Sequence, residues 1–367
     1  MKIEKHQALN YRNLKKIEFE PAEGINIIYG ENGQGKTNII ESIWLFTGCQ
    51  SFRTHKCSEL VNENEKTARI EIDFYVRGRE QNAQMTIDAK RQVKLNGIWQ
   101  ETPRKLLGEF QAVVFSPSVL SIVKDGPSEK RRFIDIAISL LKPNYACLIS
   151  RYIKAMAQRN ALLKQLSEKG GDTLLLAPWD EELCRIGAKI LCYRLKYIDQ
   201  LAVIAAEIYA GISAGRETLS IAYLQSFKAD GTNENELKEA MLAALEKNRP
   251  SDIRRQVTSV GPHKDDLEIE INSLSARSYG SQGQQRSCAL ALKLGEAAII
   301  MQTSGEQPIA LLDDVMSELD CSRQTFLLKY LEGWQVFITC CDPSILSRVN
   351  TGKIFEVEAG QIKQSGR

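Results

Sequence analysis

The sequence predicts an α/β fold: one lobe of alternating strands and helices, split along the chain by an inserted helical lobe. Three observations carry this. Residues 24–47 read as an apolar strand, a glycine-rich turn and an amphipathic helix. Between about 128 and 211 the apolar residues recur in steps of three and four. From 257 onward short buried strands and helices alternate again.

Taken in order, Ile17 and Phe19 alternate with charges, and Gly24-Ile25-Asn26-Ile27-Ile28-Tyr29 is a compact apolar run ending in glycine. Ile39, Ile40, Ile43, Trp44 and Phe46 then keep a helical spacing. The period returns to two at Ala68, Ile70, Ile72 and Phe74. With the runs Met85–Ile87 and Val93–Leu95 this predicts an antiparallel meander, Asn96-Gly97 forming a tight turn. In the middle, Tyr145, Leu148, Tyr152, Met156, Leu163 and Leu166 mark one helix, and Leu183 through Ile208 mark a second. Gly170-Gly171-Asp172 and Ala177-Pro178 break the chain between them, giving a helical hairpin. At ~20–30 residues the paired stretches lack sustained heptads, so a helical lobe is expected rather than an extended coiled coil. A helix starts near Gln282, Pro308–Leu312 is a buried strand, a helix covers 321–331, and Gln335–Thr339 is another strand. The expected organisation is therefore an N-terminal part over 1–125, a helical insertion over 126–250 and a C-terminal part over 251–367.

Bulk properties exclude several classes. At 367 residues the chain exceeds a usual single core, and 43% apolar with 26% charged residues is ordinary for a soluble globular protein. A net charge of +2 means that any electropositive surface must be local. Nine cysteines run from Cys49 to Cys341 without a C-x-x-C pair, which argues for reduced thiols over a disulfide framework or zinc site. Met1-Lys2-Ile3-Glu4-Lys5 lacks the apolar segment of a signal peptide, and no stretch approaches the ~20 apolar residues of a membrane helix. A soluble, cytoplasmic protein is expected.

The chemistry lies in three segments. Gly30-Glu31-Asn32-Gly33-Gln34-Gly35-Lys36-Thr37 fits G-x-x-x-x-G-K-S/T at every fixed position, between a strand and a helix, with Asn38 following. Its glycines let backbone N–H groups turn toward phosphate oxygens, and the helix N-terminus adds partial positive charge there. Lys36 is expected to reach the β- and γ-phosphates of ATP, and Thr37 to ligate Mg²⁺. Asp313, at the end of the apolar strand Leu311-Leu312, is the second metal ligand; Asp314 is placed to orient or deprotonate the attacking water. The third segment, Ser281-Gln282-Gly283-Gln284-Gln285-Arg286, is a small-residue turn opening a helix, a further anion site in which Ser281, Gly283 and Gln284 are the candidate contacts. Ser317-Glu318-Leu319-Asp320 follows the Asp313 strand.

In this order the segments resemble the ABC ATPase pattern of phosphate loop, signature motif, Walker B strand and D-loop. A closer resemblance covers essentially the whole chain. Tyr11-Arg12-Asn13-Leu14, the loop at 30–38, Phe115-Ser116-Pro117, Gly126-Pro127-Ser128 with Arg131-Arg132-Phe133, Gly261-Pro262-His263-Lys264-Asp265-Asp266, and the Ser281 and Asp313 segments are similar to the RecF family, relatives of the SMC-type heads. The resemblance implies an ABC-type, SMC-head-like P-loop ATPase lobe with an inserted helical lobe. It further implies slow, DNA-coupled ATP hydrolysis and an ATP-dependent homodimer on gapped DNA that helps RecO and RecR load RecA. Ser281 of one subunit would then meet the γ-phosphate held by Lys36 of the other. Three positions depart from the pattern. Asp314 replaces the Glu usual in transporters, Lys264 stands where the family commonly has Arg, and Cys340-Cys341 occupy the switch position where many ABC proteins carry His. A Q-loop residue is left open between Gln111 and Ser116.

For DNA, the local basic clusters supply candidate phosphate contacts: Lys56 beside Arg53 and His55, Lys130 with Arg131 and Arg132, Arg254 with Arg255, and Arg12 with Lys15 and Lys16. No base-reading motif is present. His263 is either near the nucleotide or packed in a core. A transporter ATPase subunit is disfavoured by the long separation of Lys36 from Ser281, and a nonenzymatic scaffold by the intact Lys36, Thr37, Asp313 and Asp314; another SMC-like chromosome-maintenance ATPase is a further alternative.

Overall fold

The computed structural model describes residues 1–120, 122–341 and 352–364. They divide into two compact units: Met1–Ser121, Gly211–Ala214 and Arg286–Arg367 in the first, Ile122–Ala210 and Gly215–Gln285 in the second.

The first unit begins with β1 (Lys2–Tyr11), β2 (Leu14–Phe19) and β3 (Ile25–Tyr29), then α1 (Lys36–Trp44). β4 (Ala68–Val76), β5 (Arg79–Ile87), β6 (Arg91–Leu95) and β7 (Ile98–Gln100) follow, with β8 (Ala112–Phe115) and the single turn α2 (Pro117–Leu120). Six of these strands form an antiparallel sheet in the order β2-β1-β4-β5-β6-β7. Period-two alternation drives it: Ala68, Ile70, Ile72, Phe74 and Val76 of β4 are all buried on one face. Asn96 (φ 51) and Gly97 (φ 78) make the β6–β7 turn with two left-handed residues, as the Asn-Gly pair favours. Helix α1 buries Ile39, Ile40, Ile43 and Trp44 and packs against β1 on one side and β8 on another.

The second unit holds α3 (Pro127–Leu141), α4 (Pro143–Lys169), α5 (Ala177–Ile212), β9 (Leu219–Leu224), α6 (Glu234–Arg255), β10 (Asp266–Ile271), β11 (Leu274–Ser275) and α7 (Ala276–Tyr279). α4 and α5 run antiparallel, as the contacts Tyr145–Tyr193 (ring centroids 5.5 Å) and Arg159–Asp180 (2.6 Å) require. Gly170 (φ 68) and a 3₁₀ turn at Thr173–Leu176, capped by the Asp172 carboxylate, reverse the chain. Ala177-Pro178 is not a break: Pro178 sits in the first turn of α5, where its missing N–H costs nothing. α6 has no counterpart in the apolar pattern read from the sequence; its buried apolar residues are Leu237, Met241 and Leu245. Residues 251–285, expected with the C-terminal part, group with the insertion because β10 pairs along its length with β9.

Two polar networks hold this unit. Arg159, fully buried, donates to Asp180 (2.6 Å), Asp252 (2.8 Å) and Thr258 (3.0 Å). In the Gly261–Asp266 segment, Gly261 (φ 126) lies so close to Tyr152 that a Cβ would fall 2.3 Å from the hydroxyl. His263 Nε2 donates to the Thr258 carbonyl (2.9 Å), which leaves Nδ1 to accept from the Tyr152 hydroxyl (2.9 Å). His263 is thus a half-buried histidine held within this unit by two hydrogen bonds. Asp265 accepts from the Tyr223 hydroxyl and the Ser226 N–H, both at 2.7 Å.

The chain then completes the first unit. α8 (Gln282–Ser304) leads into β12 (Ile309–Leu312), α9 (Cys321–Tyr330), β13 (Val336–Cys340), β14 (Lys353–Glu358) and β15 (Gln361–Gln364). The second sheet has the order β15-β14-β3-β13-β12-β8, parallel throughout except for the edge strand β15. β8, β12 and β13 are buried at every residue, the pattern of parallel strands covered on both faces. The carboxyl ends of β3, β12 and β13 therefore open at one edge, where ligands bind in such sheets.

Burial pushes the pKa of His263 down to about 4 and that of His6 to about 3, from an ordinary 6.5. Between those values the unfolded chain takes up protons that the folded one refuses, so their stabilising effect is complete above pH 6.5 and is lost as pH falls toward 4. Urea denaturation from pH 7 to 4 should show falling stability, and His263→Gln should flatten that slope.

Candidate functional site: a phosphate cradle at the edge of the parallel sheet

β3 ends at Tyr29 and α1 begins at Lys36, so Gly30–Gly35 must turn the chain within six residues. Gly35, at the helix N-cap with φ 113, adopts a conformation that a Cβ would strain. Lys36 is buried, and its Nζ donates to the carbonyls of Gly30 (2.7 Å) and Glu31 (2.9 Å) and to Cys341 Sγ (3.3 Å). Cys341, at the expected switch position, also donates to Asn32 Oδ1 (3.0 Å).

Asp313 continues the sheet ladder through its N–H to the Phe115 carbonyl (2.8 Å). One carboxylate oxygen, Oδ1, accepts from both Thr37 Oγ1 (2.8 Å) and Thr339 Oγ1 (3.0 Å). Burial raises the pKa of this carboxyl, the two hydroxyls oppose that shift, and the Asp314 charge reinforces it. Asp314 takes φ 51, uncommon for a residue with a side chain; its N–H donates to Thr339 Oγ1 (2.9 Å) and its carbonyl accepts from Ser317 Oγ (2.8 Å). Thr339 thus holds both acidic residues. Sequence reasoning missed it, although a lone hydroxyl in the apolar run Val336-Phe337-Ile338 was a visible signal.

This donor set fits a magnesium nucleotide. A hydroxyl and a carboxylate in contact are hard oxygen ligands, suited to Mg²⁺ that takes its other ligands from phosphate and water. Among the described residues no group of three or more acidic, His or Cys side chains would hold a metal alone. The buried ammonium and the helix N-terminus supply the anion-binding half.

A buried carboxylate supports α1 from behind. Glu41 is fully buried and accepts from Arg12 Nε (2.5 Å) and Nη2 (2.8 Å) and from Ser51 Oγ (2.5 Å). Arg53 donates to Asn38 Oδ1 (2.6 Å) and lies 3.8 Å from Glu41. Arg12 and Arg53, read in the sequence as parts of basic clusters, are engaged with the helix instead.

The signature residues lie in the other unit. Ser281 is exposed; its N–H donates to Gln284 Oε1 (2.8 Å) and its Oγ accepts from the Gln284 N–H (3.2 Å), capping α8 reciprocally. Gln284 also donates to Glu217 (2.8 Å), and Gly283 is half-buried. In the first unit, Arg286 pairs with Glu318, and Arg323 donates to Ser287 Oγ (2.6 Å).

Of the candidate DNA contacts, Lys130 is buried, donating to the Leu267 carbonyl (2.7 Å) with Asp266 at 3.4 Å, and Arg131 donates to the Asp265 carbonyl (2.7 Å). Both tie α3 to the β9–β10 sheet; Lys130 is turned inward, while Arg131 stays half-buried. Arg132 is half-buried, 3.6 Å from Glu129. Lys56, Arg254 and Arg255 are exposed, the last two at the C-terminal end of α6.

Thr339→Val keeps the shape but leaves the Asp314 N–H without this acceptor and Asp313 without one donor. The expected loss is about 1–3 kcal/mol of folding stability, read by chemical denaturation.

Residues 2–363 match the family model described as RecF/RecN/SMC N terminal domain. The chain is 39% identical to the DNA replication and repair protein RecF of Acetivibrio thermocellus, over 98% of this chain and 99% of that one. It is likewise 39% identical to its namesake in Clostridium tetani, over 96% and 97%. Among solved structures it resembles the recombination mediator protein RecF-ATPrS in the RecFOR pathway, with TM-score 0.92, 37% identity and coverage of 100% and 98%. An SMC head bound to the C-winged helix domain of ScpA shares the fold alone, at TM-score 0.56 and 17% identity. With the loop, the Asp313 strand and the Ser281 turn all present in a fold matched end to end, this chain belongs to the RecF family of DNA replication and repair proteins.

Proposed function

We propose that this protein is an ABC-type ATPase that binds ATP with Mg²⁺ and uses it to dimerise on gapped DNA during replication and recombinational repair. The observation that carries the reading is the convergence of Thr37 and Thr339 on one oxygen of buried Asp313, beside the Lys36 ammonium. Lys36 binds the β- and γ-phosphates; Thr37 and Asp313 hold the metal. Mg²⁺, when bound, neutralises phosphate charge. Asp314, held through its backbone by Thr339 and Ser317, orients the attacking water and accepts its proton. Its arm is one methylene shorter than that of Glu, which favours slow turnover. Relatives support the nucleotide: two solved structures at 37% identity are of RecF-ATPrS and RecF-ATP.

The Ser281 turn serves the nucleotide of a second subunit, a reading that rests on the resemblance to the ABC ATPase pattern. ATP then stabilises the closed dimer, and hydrolysis releases it. Lys56, Arg254 and Arg255 are the exposed cations offered to DNA phosphates. RecR and RecO are the proposed partners, because the relative of known structure is a recombination mediator of the RecFOR pathway.

Sedimentation with gapped DNA tests this. Wild type should form a DNA-bound dimer only with ATP, and Lys36→Arg and Ser281→Arg should each weaken that association by about tenfold or more, ~1.4 kcal/mol. Wild-type DNA binding by Lys36→Arg in the presence of ATP would sink the coupling. An unaffected Ser281→Arg dimer would sink the cross-subunit role.

A further inference from the structure

We infer that the turn of the β14–β15 hairpin and Asn13 form a brace that sets the phosphate loop in its anion-binding shape; this rests on the ATP site proposed above. Residues 30–35 belong to neither sheet nor helix, so the direction of each peptide group must be fixed from outside. Besides the Gly30 and Glu31 carbonyls that meet Lys36, two more carbonyls on the loop are pinned. Gly33 O accepts from Asn13 Nδ2 (2.7 Å), in the β1–β2 turn, and Gln34 O accepts from the Gly360 N–H (3.2 Å), in the β14–β15 turn. A trans peptide places its C=O and the next N–H on opposite sides. Holding Gly33 O toward Asn13 therefore aims the Gln34 N–H away from it, and holding Gln34 O toward Gly360 does the same for the Gly35 N–H. These are the N–H groups on which an anion-binding loop depends.

Further contacts make both supports stiff. Gln34, a position that the loop motif leaves free, accepts through Oε1 from the Ala359 N–H (2.6 Å). β14 runs parallel to β3, and a Cβ on Gly30 would fall 2.4 Å from the Val357 carbonyl oxygen. Asn13 Oδ1 accepts from Asn38 Nδ2 (2.6 Å), and a Cβ on Gly35 would lie 2.8 Å from that same oxygen. The two supports also meet: Gly360, at φ 73, packs so closely that a Cβ would lie 2.1 Å from the Asn13 carbonyl oxygen. Gly30 is thus required by the packing of β14 as well as by phosphate, and Gly35 packs against the Asn13 side chain. Asn13, Gln34, Ala359 and Gly360 are positioning residues, and the last strand pair is part of the nucleotide machinery. A loop held in its bound shape binds more tightly because less order is lost on binding.

The test combines calorimetric ATP affinity, steady-state kinetics and amide hydrogen exchange for wild type, Asn13→Ala, Gln34→Ala and Gly360→Ala. The two alanine variants at 13 and 34 should bind ATP about fivefold more weakly, the loss of roughly one hydrogen bond's worth of preorganisation. KM for ATP should rise in step while kcat stays within about twofold, a split that general destabilisation would not give. Gly360→Ala should weaken binding further. Without nucleotide, amides 33–36 should exchange faster in all three variants. Wild-type ATP affinity in Asn13→Ala and Gln34→Ala would overturn the brace. Failure of wild type itself to bind ATP would overturn the nucleotide reading instead; the exchange rates would then decide the brace alone, unchanged rates in the variants refuting it.

Discussion

The architecture of the first unit depends on one buried oxygen, Oδ1 of Asp313. A carboxylate at the end of a wholly apolar strand costs several kcal/mol unless it is hydrogen-bonded or paired. Here the neighbouring elements are arranged to meet that need. β13 lies beside β12 and brings Thr339 to it, and α1 starts with Thr37 directed at the same atom. The strand order β3-β13-β12 sets β13 beside β12, where the Thr339 hydroxyl donates to the Asp313 carboxylate. That requirement extends one residue further, since the Thr339 hydroxyl oxygen also accepts the Asp314 N–H and holds that residue in a left-handed conformation.

A second buried carboxylate does for α1 what Thr339 does for β12. Glu41 is buried four residues after Thr37, on a helix that also buries Ile39, Ile40, Ile43 and Trp44. Its partners, Arg12 and Ser51, come from elements on either side of the helix in sequence. The fork of Arg12 satisfies both carboxylate oxygens, a geometry that Lys cannot reproduce. The helix carrying Lys36 and Thr37 is therefore held by an ion pair whose carboxylate is fully buried, and apolar packing alone would not specify its rotation so closely.

Much of this was legible in the sequence. The strand–loop–helix at 24–47, the meander at 67–95, the turn at Asn96-Gly97 and the strand ending at Asp313 all follow from local period and turn chemistry, which tertiary packing did not override. What was not legible depended on side chains meeting across long separations. A basic cluster reads the same in sequence whether its charges face solvent or a buried acid; Lys130 and Arg131 face backbone carbonyls, and Arg12 faces Glu41. α6 escaped because a helix with three buried apolar residues has almost no stripe to detect. The β9–β10 sheet escaped because its strands lie 42 residues apart along the register Asp266–Leu224, too far for any hairpin signal. Thr339 carried no motif and Asn13 only a resemblance without a stated role, and their roles appear only once β13 lies between β3 and β12 and the β1–β2 turn reaches the loop.

The glycines of the loop obey a constraint that comes from the fold as well as from the ligand. Gly30 and Gly35 are motif residues, and their usual explanation is the phosphate. In this chain, a Cβ at either would also strike a neighbour that belongs to the fold, the Val357 carbonyl in one case and the Asn13 side chain in the other. Gly360 lies outside any motif, yet it meets the same constraint against the Asn13 backbone. The loop is therefore closely packed from outside before it is asked to bind anything, and its amide directions are a property of the fold. That is the physical sense in which a six-residue segment with no ladder of its own serves as a rigid anion site: the last two strands of the chain and the first turn hold it, although hundreds of residues separate them in sequence.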